Sequence, residues 1–284
     1  MNKYPLFFAF LTFLIALTSP VFGKRLVCVG GPVTEIVFAL GFGDSVVAVD
    51  SSSMYPEEVQ SLPQAGYVAA ISAEGLLAME PDLILASSRI GPPAVVEQLN
   101  ATEVPMVVVD NPNSRETLKL ALEIVGEKLG AEDRASALWK SIDSDLNRAS
   151  EFATETEPIR AVFLLGNNGV ALAAGGDTMG GGIIELAGGT NVFSSFKSYK
   201  AVSEEALISA NPDVILIGSH RAAPGADARS YLERISLANI SETSMASVHL
   251  IDMSEYLAFG PRVGQAALKL AQLFREVSLA KSLE

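Results

Sequence analysis

The chain has 284 residues, and 33 acidic against 20 basic side chains give it a formal net charge of −13. The acidic residues are dispersed among apolar ones, and there is no basic stripe of the kind that binds a phosphate backbone. Nucleic acid is therefore not an expected partner. A lone cysteine, Cys28, rules out an internal disulfide and is predicted to be a small core residue.

The N-terminal segment has the layout of a secretory signal peptide. Lys3 precedes an apolar run from Leu6 to Leu17, and a small-residue site ends at Gly23. The run is shorter than the roughly 20 apolar residues that span a bilayer. We therefore predict cleavage near Gly23 and export to the periplasm. The remaining chain of about 260 residues is long enough for two domains.

Residues 24–112 are predicted to form an α/β lobe. The expected strands are Leu26–Val29, Val46–Val49, Leu83–Ala86 and Val104–Val109. Helical patterns begin near Thr34, Ala73 and Ala94. Strands that alternate with helices indicate βαβ units and a parallel sheet.

Residues 113–158 are predicted to form a helical connector. Asn113 is the expected N-cap, with Glu116 three residues later, and Gly126 and Gly130 are expected to interrupt the helix. Because a helical connector is stiff, we expect the lobes to move little relative to each other.

Residues 159–284 repeat the α/β alternation. Their expected strands are Ala161–Leu165, Val214–Ile217 and Val248–Ile251, and their helices lie near Ile183, Glu204 and Val263. The sequence thus predicts two Rossmann-like α/β lobes with central parallel sheets, joined by a long helical connector, with a ligand cleft between the lobes.

An internal repeat links the two lobes. Ser72–Ser88 aligned on Ser203–Ser219 has eight of seventeen residues identical, and each copy predicts a serine-capped helix, a proline turn and a buried strand. Glu74 and Glu205 are equivalent in the alignment. An acidic residue in the first helical turn favours the helix dipole, but two equivalent carboxylates also suit docking onto arginines of a symmetric membrane partner.

Several motifs together resemble the haem-binding periplasmic proteins of bacterial ABC-type haem importers. They are Val29–Glu35, Asp50 with Tyr55–Glu58, Leu62–Tyr67, Gly91–Pro93 and Phe259–Arg262. The resemblance covers the whole chain after the signal segment. It implies a monomer that binds haem without altering it and delivers it to an ABC importer permease in the inner membrane.

In that family the tyrosine of the Gly-Tyr segment ligates haem iron, which implies Tyr67 here. A phenolate is a hard anionic donor that suits ferric iron. On residue type alone, Tyr67 would be a loop aromatic that packs on its lobe. The chain departs from the family at Ala69, where an arginine often pairs with a haem propionate, and in the turn Gly166–Gly169, where some relatives have a histidine.

Four further residues are candidates for the cleft. Arg89 follows a predicted strand and Arg221 occupies a family arginine position, so either could pair with a propionate, or both could be solvated loop residues. His220 corresponds to Arg89 in the repeat and could be a sixth iron ligand or a propionate partner. Tyr55 could lie against a flat porphyrin or pack locally.

The sequence also leaves two other functions open. A cobalamin or ferric-siderophore binding protein of a related importer would share the fold and the paired glutamates. An exported α/β enzyme is the more distant alternative, because the chain has no nucleophile-elbow motif and no histidine pair at metal spacing. The glycine-rich segment 175–182 matches no nucleotide fingerprint and is predicted to be a helix start near the cleft.

Overall fold

A four-stranded parallel sheet organises the first lobe in a computed structural model that describes residues 23–154, 157–219, 227–238, 240 and 246–283. Its strands are β1 (Leu26–Val29), β2 (Val46–Val49), β5 (Leu83–Ser87) and β6 (Met106–Val109). Their order in the sheet is β2-β1-β5-β6. Every residue of β1 and β5 is buried, as expected for central strands that are covered on both faces.

Three helices and a small hairpin complete this lobe. The helices are α1 (Gly31–Ala39), α2 (Ala73–Leu77) and α3 (Pro93–Asn100), with 3-10 turns at Gly43–Ser45 and Glu57–Ser61. Two-residue strands β3 (Gly66–Tyr67) and β4 (Ala70–Ile71) pair antiparallel. All four strands and three helices that the sequence predicts here are present. The hairpin was not expected, because two-residue strands leave no alternating pattern.

The second lobe has a mixed sheet of β7 (Arg160–Asn167), β8 (Val170–Ala174), β9 (Thr190–Asn191), β10 (Tyr199–Ala201), β11 (Val214–Ser219) and β12 (Ser247–Asp252). The strand order is β10-β8-β7-β11-β12, with β9 paired to β7. The predicted strands β7, β11 and β12 are parallel neighbours. The antiparallel strands β8 and β10 were not predicted. Asn168 and Gly169, both at positive φ, turn β7 into β8, so the turn at Gly166–Gly169 is a hairpin turn.

The second lobe carries the helices α6 (Met179–Leu186), α7 (Glu204–Ala210), α8 (Ala228–Arg234), α9 (Met253–Tyr256) and α10 (Val263–Lys281). The glycine-rich segment runs into the first turn of α6, where the Thr178 hydroxyl caps the helix by accepting a hydrogen bond from the Gly181 N–H. This confirms the predicted helix start.

The connector consists of two helices, α4 (Arg115–Leu129) and α5 (Glu132–Thr154), that pack against each other. Gly130, in the left-handed region, ends α4 as predicted. Two details were wrong. Ser114 caps the helix instead of Asn113, because its hydroxyl accepts from the Thr117 N–H. Gly126 lies inside α4, where a Cβ would come within 2.6 Å of Ala135 of α5, so glycine permits close helix packing.

The two lobes share one hydrophobic core along the connector. It includes Leu26 of β1, Leu118 of α4, Ile142 of α5, Phe163 of β7 and Phe259 before α10. Helix α10 lies along α5. A shared core favours a fixed relation between the lobes, as the helical connector suggested. In the described part of the chain, none of the helices combines the length and the apolar character that crossing a bilayer requires.

The repeat is visible in the structure as two copies of one backbone arrangement. The Arg25 N–H donates to Asp82 Oδ2 over 2.7 Å, and the Arg160 N–H donates to Asp213 Oδ2 over 2.9 Å. Each arginine stands at the start of a strand, and each aspartate follows the proline of the repeated turn. The aspartates that the alignment made equivalent therefore have equivalent partners.

The two arginine side chains also make the same contact. Arg25 donates to the Met79 carbonyl over 2.6 Å, just past the end of α2, and Arg160 donates to the Ala210 carbonyl over 2.7 Å, at the end of α7. Carbonyls at a helix C-terminus lack intrahelical partners and attract cations. We call each of these arrangements, Arg25 with α2 and Arg160 with α7, an arginine clamp.

Candidate functional site

A cavity of about 450 Å³ lies between the lobes and is lined by residues of both. Such a volume is within the range of small-molecule sites. The second lobe contributes mainly apolar side chains to the wall: Leu165, Met179, Met253 and Leu257. The first lobe contributes most of the polar ones, including Tyr55, Tyr67 and Arg89.

Tyr67 lies on the β3–β4 hairpin at the wall of this cavity, with 48% of its surface exposed. The preceding Gly66 has φ +107, and a Cβ there would come within 3.2 Å of the Ala70 carbonyl oxygen. Glycine is therefore required for the hairpin to close. The Gly66 carbonyl accepts from the Ser51 N–H over 2.8 Å, which ties the hairpin to the loop after β2.

Arg89 follows β5 and lines the same cavity, as the sequence predicted for a residue past a strand end. Its loop is joined to the hairpin, because the Gly91 N–H donates to the Val68 carbonyl over 3.0 Å. Among the described residues, no carboxylate forms an ion pair with Arg89. Its side chain is exposed and free to receive an anion.

Tyr199 lies on the second-lobe side of the cavity, where its hydroxyl accepts from the Gly180 N–H over 3.3 Å. Burial raises the pKa of Tyr199, while hydrogen bonds from Gly180 and Thr178 and the charge of Arg89 oppose the rise. Arg89 and Tyr199 line the same cavity, one from each lobe. The phenol is neutral at physiological pH.

Tyr55, with 45% of its surface exposed, lines the cavity beneath a guanidinium group. The Cζ of Arg262 lies 3.8 Å from the centroid of the Tyr55 ring. Arg262 in turn donates to both carboxylate oxygens of Glu35, over 3.0 and 2.6 Å. Burial raises the pKa of Glu35, and the hydrogen bonds and charge of Arg262 oppose the rise.

The buried carboxylate of Asp50 organises the rim next to Tyr55. It accepts from the N–H groups of Gly30 and Ser52, over 2.7 and 2.8 Å, and from the Ser53 hydroxyl over 2.7 Å. These bonds fix the loops after β1 and β2 to each other. Gly30 and Ser52 both line the cavity, so Asp50 shapes it from behind.

The candidate docking residues lie outside the cavity. Glu74 and Glu205 are exposed in the first turns of α2 and α7, which Ser72 and Ser203 cap by accepting backbone N–H groups over 3.2 Å. The pKa of Glu205 is lowered by hydrogen bonds from its own backbone and from Ser203. Glu205 is therefore ionised at neutral pH.

The structure thus brings Tyr55, Tyr67 and Arg89 to one cavity. His220 and Arg221 lie outside the described residues, directly after β11. His249 lies in β12, where Ser247 contacts its ring. Ala69, at the tip of the hairpin, offers no cation.

Sequence reasoning assigned no role in the site to Glu35, Arg262 or Tyr199. Glu35 and Arg262 did belong to motifs that carry the family resemblance, and a carboxylate inside the apolar helix α1 was a signal that it has a buried partner. Tyr199 gave no such signal, because its three-residue strand has no recognisable pattern.

Comparisons with known proteins agree with this architecture. A family model described as periplasmic binding protein matches residues 26–236. The solved structure of the periplasmic heme-binding protein BhuT in complex with two hemes is 31% identical, with a TM-score of 0.78 over 89% of this chain and 98% of that chain. A periplasmic heme binding protein from Pseudomonas aeruginosa is 28% identical, with a TM-score of 0.81 over 90% of this chain and 94% of its own.

A curated relative has a different ligand in its name. The vitamin B12-binding protein of Pectobacterium atrosepticum is 27% identical over 97% of this chain and 98% of its own length. The family model covers most of the chain, and the fold and the cleft agree with it. The chain therefore belongs to the periplasmic binding protein family, the substrate-binding proteins that serve ABC importers outside the cytoplasm.

Proposed function

We propose that the protein captures haem in the periplasm and delivers it, as a monomer, to the permease of an ABC importer. In this proposal residues 1–23 direct export, and one haem lies in the cleft with its iron bound by the phenolate of Tyr67. The observation that carries it is the position of Tyr67, a half-exposed phenol on the wall of an interlobe cavity to which the second lobe contributes mainly apolar side chains.

The surroundings of Tyr67 fit a tetrapyrrole with carboxylate side chains. Leu165, Met179 and Leu257 offer apolar surface to a porphyrin ring. Of the two arginines that line the cavity, Arg262 is paired with Glu35, whereas Arg89 has no carboxylate partner among the described residues. Arg89 is therefore the candidate for a propionate, in place of the arginine that Ala69 lacks.

His220 and Arg221 remain candidates on the opposite lobe. They directly follow β11, whose last residue Ser219 pairs with Asp252 of β12. Residues that follow the carboxyl ends of parallel strands lie at the cleft in this class of fold. We propose that Arg221 pairs with a haem propionate and that His220 is either a sixth iron ligand or a propionate partner.

The test is a titration of the mature protein with haemin, followed by its visible spectrum. Tyr67→Phe should abolish the tyrosinate-type spectrum and weaken binding at least about tenfold, because the anionic oxygen ligand is lost. Tyr55→Phe is a matched control, since it removes a hydroxyl of similar exposure from the same cavity and should leave the spectrum unchanged. A tyrosinate spectrum that survives in Tyr67→Phe would reject the assignment of the ligand.

Cobalamin is the second candidate ligand, because the Pectobacterium relative is named for vitamin B12. Cobalamin carries no free carboxylate, so binding to it should not depend on Arg89. Parallel titrations with cyanocobalamin decide between the two. Tight cobalamin binding that Arg89→Gln leaves unchanged, beside no haemin binding, would replace haem by cobalamin.

We also propose that Glu74 and Glu205 dock onto basic residues of the permease, one carboxylate for each half. Both are exposed at equivalent places on equivalent capped helices, and the two arginine clamps hold those helices in the same way. Two like sites related by pseudo-twofold symmetry match a partner with two similar halves.

The docking proposal predicts that Glu74→Ala combined with Glu205→Ala leaves haemin affinity intact and reduces haem uptake at least about tenfold, since two charge contacts with the partner are lost. Uptake is measured in cells or in proteoliposomes that contain the permease. Glu97→Ala combined with Glu116→Ala removes two other exposed helix carboxylates and should transport normally. Equal uptake by the two double variants would contradict the docking role.

A further inference from the structure

The aromatic ring of Tyr55 and the group that covers it come from different lobes. Tyr55 follows β2 in the first lobe, and Arg262 directly precedes α10 in the second. In the described part of the chain, no hydrogen bond holds the Tyr55 hydroxyl. The guanidinium 3.8 Å from the ring centroid is therefore the polar group that fixes the ring.

Arg262 is itself held by a rigid set of acceptors. It donates to the two oxygens of Glu35 over 3.0 and 2.6 Å, and to the Ser254 carbonyl over 2.5 Å. A bidentate pair between arginine and carboxylate fixes the plane of the guanidinium as well as its position. Because this fixed guanidinium lies over the Tyr55 ring, it restricts where the ring can lie.

Glu35 can reach Arg262 because the neighbouring chain leaves room for it. Only 5% of the Glu35 surface is exposed, and a Cβ at Gly260 would come within 3.0 Å of its Oε2 atom. The carboxylate lies on α1 of the first lobe and approaches the second-lobe segment that carries Arg262. The ion pair thus bridges the lobes beside the cavity.

We propose that Glu35, acting through Arg262, is a positioning residue that presents the Tyr55 ring as one flat wall of the ligand site. One face of the ring is covered by Arg262, and the half-exposed remainder borders the cavity. The wall requires both lobes, since the ring belongs to one and its cation to the other. The ligand it suits is planar and aromatic, and in this respect the inference rests on the proposed function.

A ligand-free experiment tests the positioning. The protein is prepared with fluorotyrosine, and the ¹⁹F NMR resonance of Tyr55 is assigned by comparison with Tyr55→Phe. Glu35→Gln, which keeps the side-chain shape and removes the charge, should shift or broaden the Tyr55 resonance and leave that of Tyr67 in place. Arg262→Lys, which keeps the charge and loses the planar group, should do the same.

The matched control is Arg115→Gln, which breaks a part-buried pair with Asp143 between α4 and α5. It should leave both resonances unchanged. An unshifted Tyr55 resonance in Glu35→Gln and Arg262→Lys would overturn the proposal. So would shifts of Tyr67 and Tyr55 alike, because they would indicate a general structural change.

A double-mutant cycle tests the consequence for the ligand. Glu35→Gln should weaken binding of haemin about tenfold when Tyr55 is present, and should have no further effect in the Tyr55→Ala background. An equal loss in both backgrounds would overturn the proposal. If cobalamin is the ligand that binds, it replaces haemin in the cycle. The NMR result stands without any ligand, so failure of the haem assignment and failure of the positioning role are distinguishable.

Discussion

At the scale of single residues, His249 couples folding to pH. It is half-buried in β12, and burial lowers its pKa below the usual 6.5, while the charge of Glu276 partly opposes this shift. As the pH falls through 6.5, the unfolded chain takes up a proton that the folded protein does not. Acidification over this range therefore favours unfolding.

We expect the free energy of unfolding to decrease between about pH 7.5 and about pH 5.5, and His249→Gln to remove part of that decrease. The measurement is urea denaturation at several pH values, followed by circular dichroism. An unchanged pH profile in His249→Gln would contradict the assignment. Substitution of an exposed polar residue on the same lobe, such as Ser209→Ala, provides a control that should follow the wild type.

Some residues of the site can be predicted from the sequence, and others cannot. Tyr67 and Arg89 follow from local signals, a Gly-Tyr motif and the position past a strand end, and the structure places both at the cavity. The pair of Glu35 with Arg262 joins residues 227 positions apart. Sequence pattern carries no information on which distant charges meet, because that depends on how the lobes are assembled.

At the scale of secondary-structure elements, the arginine clamps fix helices α2 and α7 to the sheets. Each clamp combines a strand-start arginine, a helix C-terminus and a turn aspartate. Short helices have little stability of their own, so their position depends on such contacts. The two clamps make the same contacts in the two copies of the repeat.

Loss of either clamp should therefore have a similar cost. We expect Arg25→Gln and Arg160→Gln each to lower the free energy of unfolding by about 1 kcal/mol, and the double variant to lose the sum, because the sites are independent. Chemical denaturation measures this, with Lys119→Gln at an exposed helix position as the control. A large cost at one arginine and none at the other would show that the clamps are not equivalent.

Element boundaries illustrate where sequence reasoning succeeds. The bounds of β1 and β2 are those that the β-branched runs predict, because buried parallel strands have uniform apolar patterns. The start of α4 was misplaced by one residue, since Asn113 and Ser114 are both good caps. The choice depends on Asn113 donating to the Asp177 carbonyl in the other lobe, a contact that local sequence does not contain.

At the scale of the whole molecule, the repeat predicted two similar lobes. The structure confirms two α/β lobes, each with its own copy of the clamped helix and the strand that follows it. The connector is helical, as predicted, and its two packed helices extend the core of both lobes. The small strands β8 and β10 make the second sheet mixed. The antiparallel strands form because of packing between segments that are distant in the sequence. The repeated helix and strand, in contrast, are encoded by the residues within each repeat.

The exposed guanidinium of Arg89 also has a consequence for the speed of capture. The chain carries a net charge of −13, which repels a ligand with two carboxylates, and at 0.1 M salt this repulsion acts within about 10 Å of the surface. Added salt screens this repulsion. Stopped-flow association of haemin should therefore become faster as the ionic strength rises, opposite to the usual behaviour of complementary charges. In Arg89→Gln, which lacks the local positive charge, the association rate should rise more steeply with ionic strength. A wild-type rate that falls with added salt would contradict this expectation, because it would mean that attraction by Arg89 is stronger than repulsion by the net charge.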